Sequence, residues 1–231
     1  MNSLNIKYVF VLCLTFVMGG CVNTTTKQQA FPSMYDNNKP VSIVIAPIIN
    51  KTTAAEASDY LNATVAQPLA DKGYYVLPVP VTSQIFQSSG VVDGVQLKAV
   101  PMQTFRDKFG ADAVMFITLT SWETNYIVVG GNVTVGMEYA LVSSATSEVL
   151  WSYANTMVVD TGTSSGNIFV DIVATAITTA TTDYVPIART VHSNAAMTVP
   201  VGKYHPRHGK DGNDQNVNPD LVSHAEESFR Q

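Results

Sequence analysis

The sequence predicts a mixed α/β domain in which parallel strands are followed by an antiparallel β-hairpin. Short apolar, β-branched runs at 41–47, 74–79 and 113–119 are separated by helical patterns, which is typical of parallel strands covered on both faces. Residues 133–141 and 149–158 instead alternate apolar with polar side chains, as expected for hairpin strands with one covered face. The predicted order of elements is β-α-β-α-α-β-β-β-α.

Helices are expected between the first three strands. Residues 56–71 place apolar side chains four positions apart on one face, although Pro68 should bend the last turn. Gly73 suits the end of this helix because glycine tolerates the left-handed conformation found there. Two further short helices are predicted over 81–87 and 101–109.

The remaining elements follow from turn and capping residues. Pro78 and Pro80 either end the second strand or place it at a sheet edge, since proline cannot donate to a strand ladder. Residues 143–147 form the expected hairpin turn. Asn167 is a candidate cap for a final helix, in which apolar or small side chains recur at every fourth position from Ile168 to Ala180.

The N-terminus has the features of a secretory signal peptide. Lys7 precedes an apolar run from 8 to 18, which is shorter than the ~20 residues needed to span a bilayer. The following Gly19-Gly20-Cys21 resembles the lipobox of bacterial lipoproteins. The resemblance implies cleavage before Cys21, lipid on its sulfur and amine, and, with Val22 next, sorting to the outer membrane facing the periplasm. An ordinary cleaved signal and an uncleaved anchor are the alternatives.

These features divide the chain into four segments. Residues 1–20 are the predicted signal peptide, 21–39 a polar tether, 40–202 the α/β domain, and 203–231 a polar, mostly disordered tail. A flexible tether of this length would hold the domain roughly 20–25 Å from the anchor.

Composition narrows the function classes. The formal charge is −5, only 13% of residues are charged, and no basic cluster is evident along the chain. These values argue against nucleic acid and against anionic lipid headgroups as partners. Removal of Cys13 with the signal would leave Cys21 as the one cysteine, so neither a disulfide nor a catalytic thiol is expected.

Three segments resemble a known group of bacterial lipoproteins of unassigned function. They are 68–79 (PLADKGYYVLPV), 109–113 (FGADA) and 204–206 (YHP). The domain of that group is similar to the N-terminal domain of TolB and to CsgG, and the resemblance covers roughly 40–206. It implies a non-enzymatic accessory of an outer-membrane secretion or envelope-assembly system, without cofactor. The implied partner is a CsgG-like or other envelope lipoprotein, or a second copy of the chain.

A related alternative is activation of a peptidoglycan synthase, because some lipoproteins with TolB-like domains act in that way. In either case the candidate partner contacts are Trp122 and Tyr126, since aromatic side chains are enriched at interface hot spots. Tyr204-His205-Pro206 is a candidate docking segment, either on the domain or on a partner. The open edge of the sheet is a candidate site for strand addition.

One motif suggests catalysis. Gly162–Gly166 matches the G-x-S-x-G elbow, with Ser164 as nucleophile and His192 or His205 downstream as base. However, the preceding strand is predicted to lie in an antiparallel hairpin, and no further strands follow. A serine hydrolase is therefore the weakest alternative, and no catalytic residue is assigned.

The tail also offers possible metal ligands. His205, His208, Asp211 and Asp214 could in principle hold a borderline metal ion. Pro206 prevents a helix that would place both imidazoles on one face. We therefore predict no metal site here.

Overall fold

The computed structural model describes residues 24–36, 39–127, 130–160, 183–215 and 217–230. Several predicted features lie outside these residues. They are the signal peptide, Cys21, the motif containing Ser164, and the predicted final helix from Ile168 to Ala180.

Helices and strands succeed one another along the described chain. They are α1 (Lys27–Ala30), a 3₁₀ turn (Pro32–Met34), β1 (Ser42–Ile45), β2 (Ile49–Asn50), α2 (Ala57–Thr64), α3 (Ala66–Asp71), β3 (Tyr75–Val76), α4 (Val79–Ser88), α5 (Val95–Lys98), α6 (Gln103–Phe109), β4 (Ala113–Ile127), β5 (Gly130–Ser143), β6 (Val149–Asp160), α7 (Val185–Thr198) and α8 (Pro219–Arg230). Within the described ranges, no helix has the length and apolar character needed to cross a bilayer.

The strands form a single mixed sheet. Within the described residues it contains six strands in the order β3-β1-β4-β5-β6, with β2 also pairing with β4. Pairs among β1, β2, β3 and β4 are parallel, whereas β4, β5 and β6 are antiparallel. The prediction of parallel strands followed by a hairpin is therefore confirmed. The prolines after β3 have the expected effect, because this strand ends at Val76 and lies at the sheet edge.

The fourth strand is much longer than predicted. β4 continues past Leu119 to Ile127 and remains paired with β5 throughout. The ladder shifts register between Leu119 and Ser121, and Gly136 lies opposite this bulge. A Cβ on Gly136 would lie 2.5 Å from the Thr120 hydroxyl oxygen, so a larger residue there would require the Thr120 side chain to move. The ends of β4, β5 and β6 therefore form an antiparallel arm (residues 120–127, 130–136 and 156–160) beyond the parallel strands.

Alternating side chains of the sheet enter two separate cores. On the first face, apolar side chains such as Ile43, Met115 and Leu141 are buried together with residues of α2, α3 and α7. On the second face, Val44 and Phe116 are buried with residues of α4 and α6. Burial on both faces explains why the short parallel strands contain continuous apolar runs.

The C-terminal tail is ordered over 203–215 and 217–230, in contrast to the predicted disorder. Its helix α8 covers the second face of the hairpin. The Ser152 hydroxyl donates to the Val222 carbonyl at 3.1 Å, and the rings of Phe229 and Phe116 lie 5.3 Å apart. The few apolar residues of the tail are sufficient because they recur at helical spacing, with Ala225 fully buried between them.

The predicted tether also differs from the structure, since residues 24–36 (the N-terminal segment) are ordered. Thr25 pairs with Val217 of the tail in an antiparallel bridge. Thr26 caps α1, with its hydroxyl accepting from the Gln29 amide at 3.2 Å. Phe31 is buried against the Trp151 ring, with a centroid distance of 6.4 Å. The domain therefore extends beyond 40–202 in both directions.

Packing of α8 can be tested with one buried and one exposed position of the same helix. Ala225→Asp places a carboxylate at a site that is 1% exposed, and we expect it to lower the free energy of unfolding by more than about 2 kcal/mol. Glu227→Asp keeps the charge on the exposed side and should leave stability unchanged. Urea unfolding and limited proteolysis of the tail measure both effects. Equal stability of the two variants would show that α8 does not pack on the sheet.

Candidate functional site

Trp122, one of the predicted partner contacts, belongs to a cluster of three aromatic rings. Its ring meets Tyr184 edge-on at 5.7 Å and stacks on Tyr60 at 6.5 Å, while the two tyrosine rings are 5.8 Å apart. The three residues come from β4, α2 and the residue preceding α7. Each of them is half-buried, so the cluster (the aromatic rim) joins the first core to the surface. Such ring pairs stabilise beyond simple burial and fix the orientation of Trp122.

Tyr126, the second predicted contact, and Trp151, the other tryptophan, have different positions. Tyr126 lies near the end of β4, where its backbone pairs with Gly131 of β5. Trp151 is only 1% exposed, and its indole nitrogen donates to the Thr198 hydroxyl at 3.2 Å. Trp151 is therefore a core residue and not a surface contact.

The Tyr204-His205-Pro206 segment docks on the domain itself through backbone contacts. The Gly202 amide donates to the Lys72 carbonyl at 2.7 Å, and the Tyr204 amide donates to the Gly73 carbonyl at 3.1 Å. Gly73 has φ +83°, and a Cβ there would lie 2.3 Å from the His205 nitrogen. The Tyr204 side chain remains 66% exposed. The close approach thus requires glycine at position 73, and the tyrosine ring is left on the surface.

A buried ion pair connects the N-terminal segment with the tail, and no pattern in the sequence predicts it. Lys27 Nζ lies 3.7 Å from Asp211 Oδ2, and both side chains are at most 2% exposed. Lys27 also donates to the Val199 carbonyl at 3.0 Å, while the Val201 amide donates to Asp211 Oδ2 at 2.8 Å. The pair therefore holds the N-terminal segment, the end of α7 and the tail at one point.

Electrostatics around this pair reflect its burial. Burial lowers the pKa of Lys27, as does the neighbouring Lys72, whereas Asp211 opposes the shift. Burial and the nearby Asp211 carboxylate raise the pKa of Tyr35. Within the described residues, neither the Tyr35 hydroxyl nor Asp211 Oδ1 has a hydrogen-bond partner of acceptable geometry. The site is thus a dense polar cluster inside the fold.

The tail carboxylates considered as metal ligands are paired with cations instead. Arg207 contacts both oxygens of Asp214, at 2.7 and 3.1 Å, which fixes the loop that follows Pro206. Asp211 faces Lys27, as described above. In the part of the chain that the structure describes, no three His, Cys, Asp or Glu side chains are arranged to hold a metal ion.

His192, a possible base for Ser164, lies in the core. One ring nitrogen is 3.0 Å from the Tyr139 hydroxyl and the other is 3.1 Å from the Leu61 carbonyl. Burial lowers its pKa to about 4, against a smaller opposite effect of the Leu61 carbonyl. In addition, β6, which precedes the motif, is an antiparallel edge strand, whereas an elbow nucleophile follows a central parallel strand. These positions do not support a hydrolase triad.

Residues 32–201 match the family described as "Putative lipoprotein GNA1162-like", which is more than half of the chain. The chain therefore belongs to this family. A curated relative, "Putative lipoprotein NMB1124/NMB1162" of Neisseria meningitidis serogroup B, is 32% identical over 118 residues. The match covers 51% of this chain and 55% of that protein, so the chain spans about half the length of the relative.

A solved structure of the same family agrees at the level of fold. The crystal structure of lipoprotein GNA1162 from Neisseria meningitidis is 28% identical, with a TM-score of 0.51 over 60% of this chain and 95% of that chain. The PelC dodecamer from Paraburkholderia phytofirmans is 16% identical, with a TM-score of 0.43 over 71% and 89% of the two chains. The predicted lipoprotein family is thus confirmed, whereas its likeness to TolB and CsgG stays a prediction.

The core position of His192 predicts a specific pH dependence of stability. Its pKa is about 4 in the folded chain and near 6.5 when unfolded, so the unfolded state binds more protons between these values. The free energy of unfolding should therefore fall as pH drops from 6.5 to 4, by up to about 3 kcal/mol. His192→Gln should flatten this dependence, and the exposed His208→Gln should not. Denaturant titrations at several pH values provide the measurement, and an unchanged slope in His192→Gln would contradict the assignment.

Docking of the tail on Gly73 predicts unequal effects of two glycine substitutions. Gly90 has a similar φ of +78° but open space around it, so Gly90→Ala should cost about 1–2 kcal/mol of stability from backbone strain alone. Gly73→Ala adds the clash with His205 and should cost at least about 1 kcal/mol more. Hydrogen exchange at the Tyr204 amide should rise only in Gly73→Ala. Equal losses in both variants would mean that the tail does not dock there.

Proposed function

We propose that this member of the GNA1162-like family is anchored through lipid on Cys21 to the outer membrane and faces the periplasm. There it acts as a non-enzymatic, protein-binding accessory of a secretion or envelope-assembly system. Its partner is a CsgG-like or other envelope lipoprotein, or a second copy of the chain. The family description as lipoproteins and the Gly19-Gly20-Cys21 sequence support the anchor.

The observation that carries the proposal is the short distance between Cys21 and the fold. Thr25 is already paired with Val217, so only residues 22–24 lie between the anchor and this paired residue. Even a fully extended chain spans no more than about 14 Å over this stretch. An acylated Cys21 would therefore hold the domain against the membrane surface. This distance is shorter than the roughly 20–25 Å expected for a flexible tether. Partners are then met at the inner face of that membrane.

The aromatic rim supports protein binding as the activity. Trp122 is held by Tyr60 and Tyr184, so its orientation is fixed before a partner arrives. Large aromatic side chains that lose little conformational freedom on binding are typical of interface hot spots. Among the described strands, β6 lies at an edge of the sheet, and it offers a second contact through strand addition along its 12 residues.

The anchor is tested by Cys21→Ser. We expect the wild-type chain to incorporate labelled palmitate and to fractionate with the outer membrane. Cys21→Ser should incorporate no label and appear in the soluble periplasmic fraction. Its circular dichroism spectrum should be unchanged, because serine is close to cysteine in size and none of the contacts described above involves Cys21. Label on the variant, or a wild-type chain without label, would refute lipidation at this residue.

The partner surface is tested by site-specific crosslinking in cells. A photoreactive amino acid at Trp122 should capture an envelope lipoprotein, or a second copy of the chain. The same group at Val92, which is 76% exposed in another part of the fold, is the control and should capture neither. If Trp122 captures a penicillin-binding protein, activation of a peptidoglycan synthase replaces the secretion accessory. Equal capture from Trp122 and Val92 would show that the aromatic rim is not the binding site.

A further inference from the structure

A polar pocket of about 410 Å³ lies between the N-terminal segment and the loop of the tail. Cationic and amide side chains dominate its lining, which includes Gln28, Asp36, Lys39, His208, Lys210 and Asn213. The sequence indicated no basic cluster, because Lys39 and Lys210 lie at opposite ends of the domain sequence. The fold brings them together, and we refer to this site as the basic pocket.

Positive charge is in excess around the basic pocket. The nearby carboxylates of Asp211 and Asp214 already face Lys27 and Arg207. Asp36 is the carboxylate that remains in the described lining. The two lysines of the lining, Lys39 and Lys210, therefore outnumber its one described carboxylate. This excess of positive charge favours an anionic ligand.

Lys39 is the lining residue that most favours an anionic ligand. Its ammonium lies 4.3 Å from the centroid of the Tyr35 ring, so the ring contacts the cation without neutralising it. Within the described residues, Lys39 takes part in none of the ion pairs formed within 4.0 Å. Burial lowers the pKa of Lys39, and the Asp211 carboxylate partly opposes this shift. A negatively charged oxygen in the pocket would relieve this desolvation.

The other lining groups suit phosphate oxygens. The side-chain amides of Gln28 and Asn213 and the imidazole of His208 can each donate a hydrogen bond. Two ammonium groups and several neutral donors around one small cavity match the charge and acceptor number of a phosphate. We therefore propose that the basic pocket binds the phosphate of an anionic phospholipid headgroup.

Its position favours a membrane lipid over a soluble phosphate, and this step rests on the proposed anchor. Gln28 lies on α1, which starts two residues after Thr25. The pocket is therefore built on the segment that emerges directly from Cys21. With only three residues between anchor and fold, the basic pocket is held at the height of the headgroups. Headgroup contacts would then orient the domain on the bilayer.

The proposal is tested without the lipid anchor, so that its outcome is independent of acylation. The mature chain with Cys21→Ser is mixed with vesicles of phosphatidylcholine alone or with added phosphatidylglycerol, and bound protein is measured by sedimentation. We expect binding only to the anionic vesicles. Each lysine near such a surface contributes about fivefold to partitioning, so the Lys39→Gln/Lys210→Gln variant should bind about 25-fold more weakly.

A matched control removes the same charge elsewhere. Arg106→Gln/Lys108→Gln changes two exposed cations on α6 and should reduce binding much less. Equal losses in both double variants, or no binding to either vesicle, would overturn the proposal. A further outcome would also overturn it. If vesicles do not bind but inorganic phosphate raises the melting temperature, and this rise is lost in Lys39→Gln/Lys210→Gln, the pocket takes a soluble phosphate.

Discussion

The buried contact between Lys27 and Asp211 determines how the two ends of this chain are arranged. Each charge is removed from water, so each depends on the other and on the carbonyl of Val199 and the amide of Val201. A buried ion pair is weak support for stability as such, because desolvation offsets much of the attraction. Its effect here is to hold the two segments together, because displacing either one would leave a buried charge without its partner. The N-terminal segment and the tail are therefore expected to order together, and both the basic pocket and the path to Cys21 follow from that.

Much of the sheet could be predicted because its signals are local. The apolar runs at 41–47 and 113–119 form β1 and the start of β4, and the alternating residues after Val133 form the hairpin. Two helix ends could also be predicted, since Gly73 and Gly110 both adopt positive φ where helices end. In each case the residues that determine the structure are adjacent or nearly adjacent in sequence.

The remainder could not be predicted because it depends on distant residues or on weak patterns. The extension of β4 consists of polar and aromatic residues, and only its long pairing with β5 makes it a strand. Helix α7 has a buried face that includes His192, which does not look like a core residue in isolation. Lys27 and Asp211 are separated by almost the whole domain, and no sequence pattern indicates that they meet. The candidate site is affected most, because Lys39, Lys210 and the half-buried Trp122 acquire their roles only through such contacts.

Order in the N-terminal segment also changes what an anchor at Cys21 would do. A flexible tether would let the domain sample many orientations, and a partner would have to select one of them at an entropic cost. A linker restricted to 22–24 instead transmits the position of the anchor to α1 and to the tail packed against it. The aromatic rim is part of the same fold, so its distance from the membrane would be limited as well. Partners held in the same membrane would then meet Trp122 at a high effective concentration, which allows a modest contact surface to bind selectively.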